Sequence, residues 1–194
     1  MKQENPDLTA KESLDIITGM IMEAKGNVQR NNFYFLLWGW VVVLANIGMY
    51  ALTQLEYRHP YIVWAITIPA WIFTFVHAFR EKKTKPTATH FDYISGWLWL
   101  AFGMTIFILV GFGFKINFQL NPVILIISAI PTLVSGVILR FRPLVFGGIA
   151  FWIGGIICFL VTMEMQPVVG AVTIVFGYLV PGYLLKRTNN PENV

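Results

Sequence analysis

His59, His77 and His90 are the residues from which a metal or haem site would have to be built, and their placement argues against one. His59 falls in a connector, His90 in a basic connector, and His77 near the end of an apolar run, three residues before Arg80. A haem needs axial ligands facing each other from neighbouring helices, and no second histidine lies within an apolar run. A metal ion needs several convergent ligands. Nucleophilic chemistry fares no better. Ser95, Ser128 and Ser135 lie in or beside apolar runs, but none belongs to a G-x-S-x-G elbow. There is no H-E-x-x-H pair and no glycine loop ending in Lys-Ser/Thr to cradle phosphate. Cys158 is the single cysteine and sits inside an apolar run, which excludes intramolecular disulfides and thiolate clusters. Glu164, between Met163 and Met165, reads as an interfacial residue ending a helix. The sequence therefore predicts no catalytic residue, no cofactor and no metal. Asn46, Thr67, Thr74, Thr105, Ser128, Thr132, Ser135, Thr162 and Thr173 remain as isolated polar residues in apolar surroundings. Such side chains bond across helices or back to their own backbone. Asn46 is the best ligand candidate among them, because an amide in an apolar medium costs free energy unless paired.

These residues are set in a chain of 194 residues that is 56% hydrophobic and 12% charged, about half the charged fraction of an ordinary soluble domain. The charges cluster in short islands between apolar stretches long enough to cross a hydrocarbon core of roughly 30 Å. The pattern predicts an all-α polytopic membrane bundle with six spans, at 33–53, 61–79, 93–114, 122–139, 144–163 and 168–185. A polar N-terminal tail occupies 1–32 and a short tail 186–194. The first apolar run begins only at Phe33, so no cleavable signal peptide is expected. Twelve Lys and Arg fall on one side of this threading, and only Arg58 and Lys115 on the other. That asymmetry places both termini in the cytoplasm and accounts for the net charge of +4 without nucleic acid. The run "REKKTKP" serves as the orientation signal and can attract anionic lipid headgroups.

The spans are predicted to be helices, since backbone polar groups in hydrocarbon must be satisfied within the segment. Short connectors make successive helices antiparallel neighbours. The odd-numbered spans share a spacing: Gly39 is followed seven residues on by Asn46, Gly96 by Gly103, and Gly147-Gly148 by Gly154-Gly155. Small residues at this interval let neighbouring backbones approach, so these are candidate packing positions. The even spans open near Pro60, Pro122 and Pro167, and the first two place a second proline nine residues on, at Pro69 and Pro131. The third departs, with Pro181 as its internal proline. Three repeated helical hairpins follow as an expectation, with Asn46, Pro69, Pro131 and Pro181 as candidate kink or ligand positions between them.

Ahead of the spans, Thr9 and Glu12 form a T-x-x-E capping box. Leu14, Ile17, Ile21, Ala24 and Val28 then recur at alternating three- and four-residue spacings, a single stripe on an amphipathic helix. Gly19 and Gly26 weaken it. Its charges balance, Lys11, Lys25 and Arg30 against Glu12, Asp15 and Glu23, whereas a helix lying on anionic lipid is usually more basic. Leu14, Ile17, Ile21 and Val28 therefore read as a partner-binding face, for this bundle, a second copy or another protein. Phe33, Tyr34, Phe35, Trp38 and Trp40 follow at once, where the first span meets the headgroups.

The order of "ESLDIITGMI", "NNFYFLLWGW" and six spans resembles a group of small bacterial membrane proteins of unknown function. The resemblance implies a bacterial cytoplasmic (inner) membrane and supplies no activity or site residue. The sequence thus points to a non-enzymatic membrane protein acting through protein contacts, as a regulatory, sensory or accessory subunit. The alternative is a small permease or channel for an uncharged or lipophilic solute.

Overall fold

The computed structural model describes residues 10–84 and 90–188, and the side chains of residues 32–80 and 93–187. Among the described residues the structure is helical, with no strand. Helix α1 spans Ala10–Gln54, 45 residues without a break. The amphipathic segment and the first apolar run are thus one rod, although composition changes sharply near Asn32. The hydrogen-bond ladder joins backbone groups four residues apart and is blind to such a change. Gly19 and Gly26 do not interrupt it, because a glycine inside a helix costs only about 1 kcal/mol against alanine. Thr9 lies outside the described residues.

Helix α1 ends in a Schellman turn. Glu56 has a left-handed φ of 51°, the Tyr57 N–H donates to the Leu52 carbonyl at 3.0 Å, and the Glu56 N–H donates to that of Thr53 at 3.0 Å. A 3₁₀ segment, Pro60–Ile66, leads into α2 (Thr67–Thr84). Pro69 therefore falls in the first turn of α2, where its missing N–H costs nothing. Helix α3 (His90–Gly111) and a 3₁₀ turn at Gly113–Ile116 precede α4 (Leu120–Ile138). A second Schellman turn, with Arg140 at φ 52°, reverses the chain into α5 (Arg142–Leu160). The last helix is built in three parts: α6 (Gln166–Ile174), a π-helical turn at Val175–Leu179, and α7 (Val180–Thr188).

Six helical segments are long and apolar enough to cross a membrane: Asn32–Gln54, Pro60–Arg80, Tyr93–Gly111, Leu120–Ile138, Arg142–Leu160 and Gln166–Arg187, each with mean hydropathy between 1.8 and 2.1. They fall on the six apolar runs read from the sequence. α1, α4, α5 and the last helix form the packed centre, while α2 and α3 lie at its edge and are the least buried. Large apolar side chains such as Phe107, Phe146, Leu160 and Phe176 face outward. Asn46, Ser128, Thr132, Ser135, Gln166 and Thr173 are buried. Polarity is inverted relative to a protein dissolved in water.

Candidate functional site: a glycine-packed polar core and the helix that leaves it

Helix α5 is the middle layer of the core, and its paired glycines divide the work between two neighbours. Gly148 and Gly155 face α4. A Cβ at Gly148 would lie 2.8 Å from the Leu133 Cβ, and one at Gly155 would lie 3.1 Å from the Pro122 carbonyl oxygen. Gly147 and Gly154 face the last helix, Gly147 against the Gly177 carbonyl oxygen at 2.6 Å from a built Cβ, and Gly154 against Thr173. One glycine per pair for each side is what a helix between two close neighbours requires, since only hydrogen leaves room for backbone approach.

The same contact explains where Pro181 acts. Proline cannot donate to the carbonyl four residues back, here that of Gly177. That carbonyl belongs to the π turn and is the one against which Gly147 packs. Gly147 and Pro181 thus both act on the Gly177 carbonyl. Beside it Tyr178 is buried, its ring edge-on to Phe151 at 4.7 Å and tilted against Phe35 at 5.6 Å. Its hydroxyl lies 3.4 Å from Thr132 Oγ1 on α4. Ser128 and Thr132 donate to carbonyls one turn back, at 2.7 and 2.6 Å. Ser135, next along this face, is buried with no partner for its hydroxyl.

Helix α1 lies against the last helix. A Cβ at Gly39 would meet Leu179 at 2.6 Å and Tyr178 at 3.3 Å. Asn46 is 1% exposed. Its Nδ2 donates to the Val42 carbonyl at 2.9 Å, while its Oδ1 has no hydrogen-bond partner and faces Gly170, 3.0 Å from where a Cβ would be. Asn32 Oδ1, near Gly182 two heptads earlier, is likewise buried and unpaired. The other candidate positions do not join this core. Gly103 meets only the Trp71 ring edge, at 3.2 Å from a built Cβ, and Gly96 has nothing within 4 Å. Pro69 is exposed, whereas Pro131 is buried in α4.

Two further clusters were hidden in the sequence. Gln166 is buried and donates through Nε2 to Gln119 Oε1 at 2.6 Å and to the Cys158 carbonyl at 3.2 Å, tying the ends of α5, α6 and the turn before α4. Between α1 and α2, Trp38 Nε1 donates to Thr74 Oγ1 at 3.2 Å. One helical turn closer to the N-terminus, His77 stacks on Phe33 at 4.6 Å, and its Nδ1 lies 3.2 Å from the Tyr34 hydroxyl. All five aromatics between Phe33 and Trp40 thus make ring or hydrogen-bond contacts with other helices. Trp40 is half-exposed and donates to the Tyr183 hydroxyl at 3.0 Å.

The side chains of Leu14, Ile17, Ile21 and Val28 lie outside those described, but the backbone fixes their register on α1. Leu14 and Asn32, Ile17 and Phe35, Ile21 and Gly39, Ala24 and Val42, and Val28 and Asn46 are each 18 positions apart, about five turns at 3.6 residues per turn. The apolar stripe of the first half of α1 thus stands in register with the face that its second half turns to the last helix. The 18-residue interval is present in the sequence, but it carries meaning only once the helix is continuous.

Charge separates the two ends of the bundle. Among the described side chains, Arg80, Arg140, Arg142, Lys186 and Arg187 lie at the proximal end, where α1 emerges, with no carboxylate; Glu56, Arg58, Lys115 and Glu164 lie at the distal end. The fold defines an all-helical bundle with six apolar helices of membrane-spanning length and one helix continuing beyond it. No protein-family model, curated protein or solved structure matches the chain.

Proposed function

We propose that this is a multi-pass protein of a bacterial inner membrane, with both termini cytoplasmic, that acts through protein contacts rather than catalysis. Its role is that of a regulatory, sensory or accessory subunit. Membrane insertion is supported by six apolar helices, outward-facing Phe, Ile and Leu side chains, and buried Asn, Gln, Ser and Thr. In water such an exterior would be an association surface far above the few hundred Å² that soluble monomers expose. The cytoplasmic position of α1's start is supported by the five proximal cations. Three hairpins inserted in the same sense remain the architecture that the glycine and proline spacings favour.

The observation that carries the contact reading is the continuity of α1. From Ala10 to Asn31 it adds about 33 Å of helix beyond the first span at 1.5 Å per residue. A rod continuing the span leaves the membrane instead of lying along it, so lipid cannot cover Leu14, Ile17, Ile21 and Val28. Photo-crosslinkers placed in cells at Ile17 and Ile21, and at Gly19 on another face, test this. Discrete protein adducts are expected at the first two positions and not the third. Equal or absent crosslinking at all three would refute it. The permease alternative rests on Asn46, whose buried Oδ1 lacks a partner. Solute flux into vesicles holding the protein, abolished by Asn46→Leu, would favour that alternative.

A further inference from the structure

The contact reading leaves the partner's chemistry open, and the geometry at the proximal end narrows it. Resting on that reading, we propose that the stripe of α1 and the basic end of the bundle form one corner that receives an acidic amphipathic helix of a cytosolic protein.

The corner follows from three observations. The stripe positions stand five turns before Asn32, Phe35, Gly39, Val42 and Asn46, and Gly39 and Asn46 pack on the last helix. The stripe therefore lies on the bundle's side of α1, below the bundle. Gly182 lies against Leu36 and near Asn32, and α7 runs only to Thr188, about 9 Å further. Antiparallel to α1, it ends near the level of Val28. The helix from Ala10 to Val28 continues about 27 Å beyond that level. Where α7 ends beside α1, the ceiling over this space carries Lys186 and Arg187, both exposed, and Arg140 and Arg142 are exposed on the α4–α5 turn at the same end of the bundle.

Other occupants fit worse. The chain's other segments at this end, "MKQENPDLT", "EKKTKPTATHFD" and "TNNPENV", offer only Met1, Leu8, Phe91 and Val194 as large apolar residues, too few to cover a stripe of two heptads. A second copy would bring its own straight α1, parallel in the same membrane. Paired helices sit with axes about 8–10 Å apart, and within the bundle that place beside α1's stripe face is filled by the last helix. A soluble helix can end below the bundle. An apolar wall under a cationic ceiling selects one with an apolar stripe and acidic residues, a helix-in-groove mode with charge setting the choice of partner.

The test uses the full chain in nanodiscs of zwitterionic lipid and two fluorescent synthetic 21-residue helices with an identical Leu/Ile stripe. The remaining positions are Glu-rich in one helix and Lys-rich in the other. Anisotropy titration should give binding of the acidic helix at least about tenfold tighter than the basic one, weakening as salt screens the ceiling. Ile17→Asp with Ile21→Asp should weaken it by at least about tenfold. Lys186→Gln with Arg187→Gln should remove part of the preference without abolishing binding. Equal affinity for both helices, or indifference to the α1 substitutions, overturns the proposal. So does Ile21→Cys crosslinking between two copies in one disc. If the in-cell adducts at Ile17 and Ile21 form while the acidic helix shows no preference, the partner chemistry fails and the contact reading stands. If both are negative, the contact reading itself fails.

Discussion

Replacing Gly147 by alanine is a sharp test of the packing account, because the obstacle is backbone. The added Cβ would sit 2.6 Å from the Gly177 carbonyl oxygen and 3.3 Å from its carbonyl carbon and Cα, where ordinary contact begins near 3.4 Å. No rotamer change relieves this, so α5 and the last helix must separate by roughly 0.5–1 Å, loosening the Phe151–Tyr178 contact beside it. Over-packing of this kind costs about 1–3 kcal/mol. Alanine's better helix propensity returns about 1 kcal/mol, leaving a net loss of about 0–2 kcal/mol. Gly96→Ala is the control, since its Cβ meets nothing within 4 Å, and only the propensity gain applies. Reversible unfolding of both variants in bicelles, followed by steric trapping, should find Gly147→Ala less stable and Gly96→Ala unchanged or slightly more stable. Equal effects at the two positions would refute the assignment of Gly147 as a close-approach point.

Gln166→Leu removes the donor shared by Gln119 and the Cys158 carbonyl, and should cost about 1–3 kcal/mol in the same unfolding assay. Tyr178→Phe keeps the ring contact with Phe151 and loses only the hydroxyl bond to Thr132 on α4, for about 0.5–1.5 kcal/mol. Tyr178→Ala, which empties a buried site, should cost about 3–5 kcal/mol. Arg140→Gly relieves a left-handed residue with a side chain and should raise stability by about 1 kcal/mol.

The number and places of the apolar helices were legible from hydropathy and charge islands alone, because span length is set by a simple length and composition rule. The glycine pairs of α5 were visible too, but not which neighbour each member faces, since that depends on which helix comes to lie on which side. Gly96 marks the limit. It shares the seven-residue spacing with the others but sits on α3, at the bundle's edge, where no backbone approaches. Pro69 carries the same lesson. A proline nine residues into an apolar run reads as a mid-helix kink, yet the 3₁₀ start of this segment moves the α-helix's first turn to Thr67. Tyr178 and Gln166 left no local signal, because their partners lie 46 and 47 residues away. The π turn is likewise a tertiary outcome. The boundary at Asn32 was drawn from composition, whereas the backbone carries one helix across it.

The most direct measurement is a spin-label scan along α1 from Glu12 to Ala51, one cysteine at a time, in a Cys158→Ala background of the full chain in lipid bilayers with the acidic helix bound. The account predicts mobility and accessibility oscillating at 3.6 residues per turn with a single phase throughout, the minima at Ile17, Ile21 and Val28 aligning with those at Phe35, Gly39 and Asn46. A break of phase between Arg30 and Tyr34, or loss of the period ahead of it, would contradict the claim that one continuous helix carries the contact face out of the membrane.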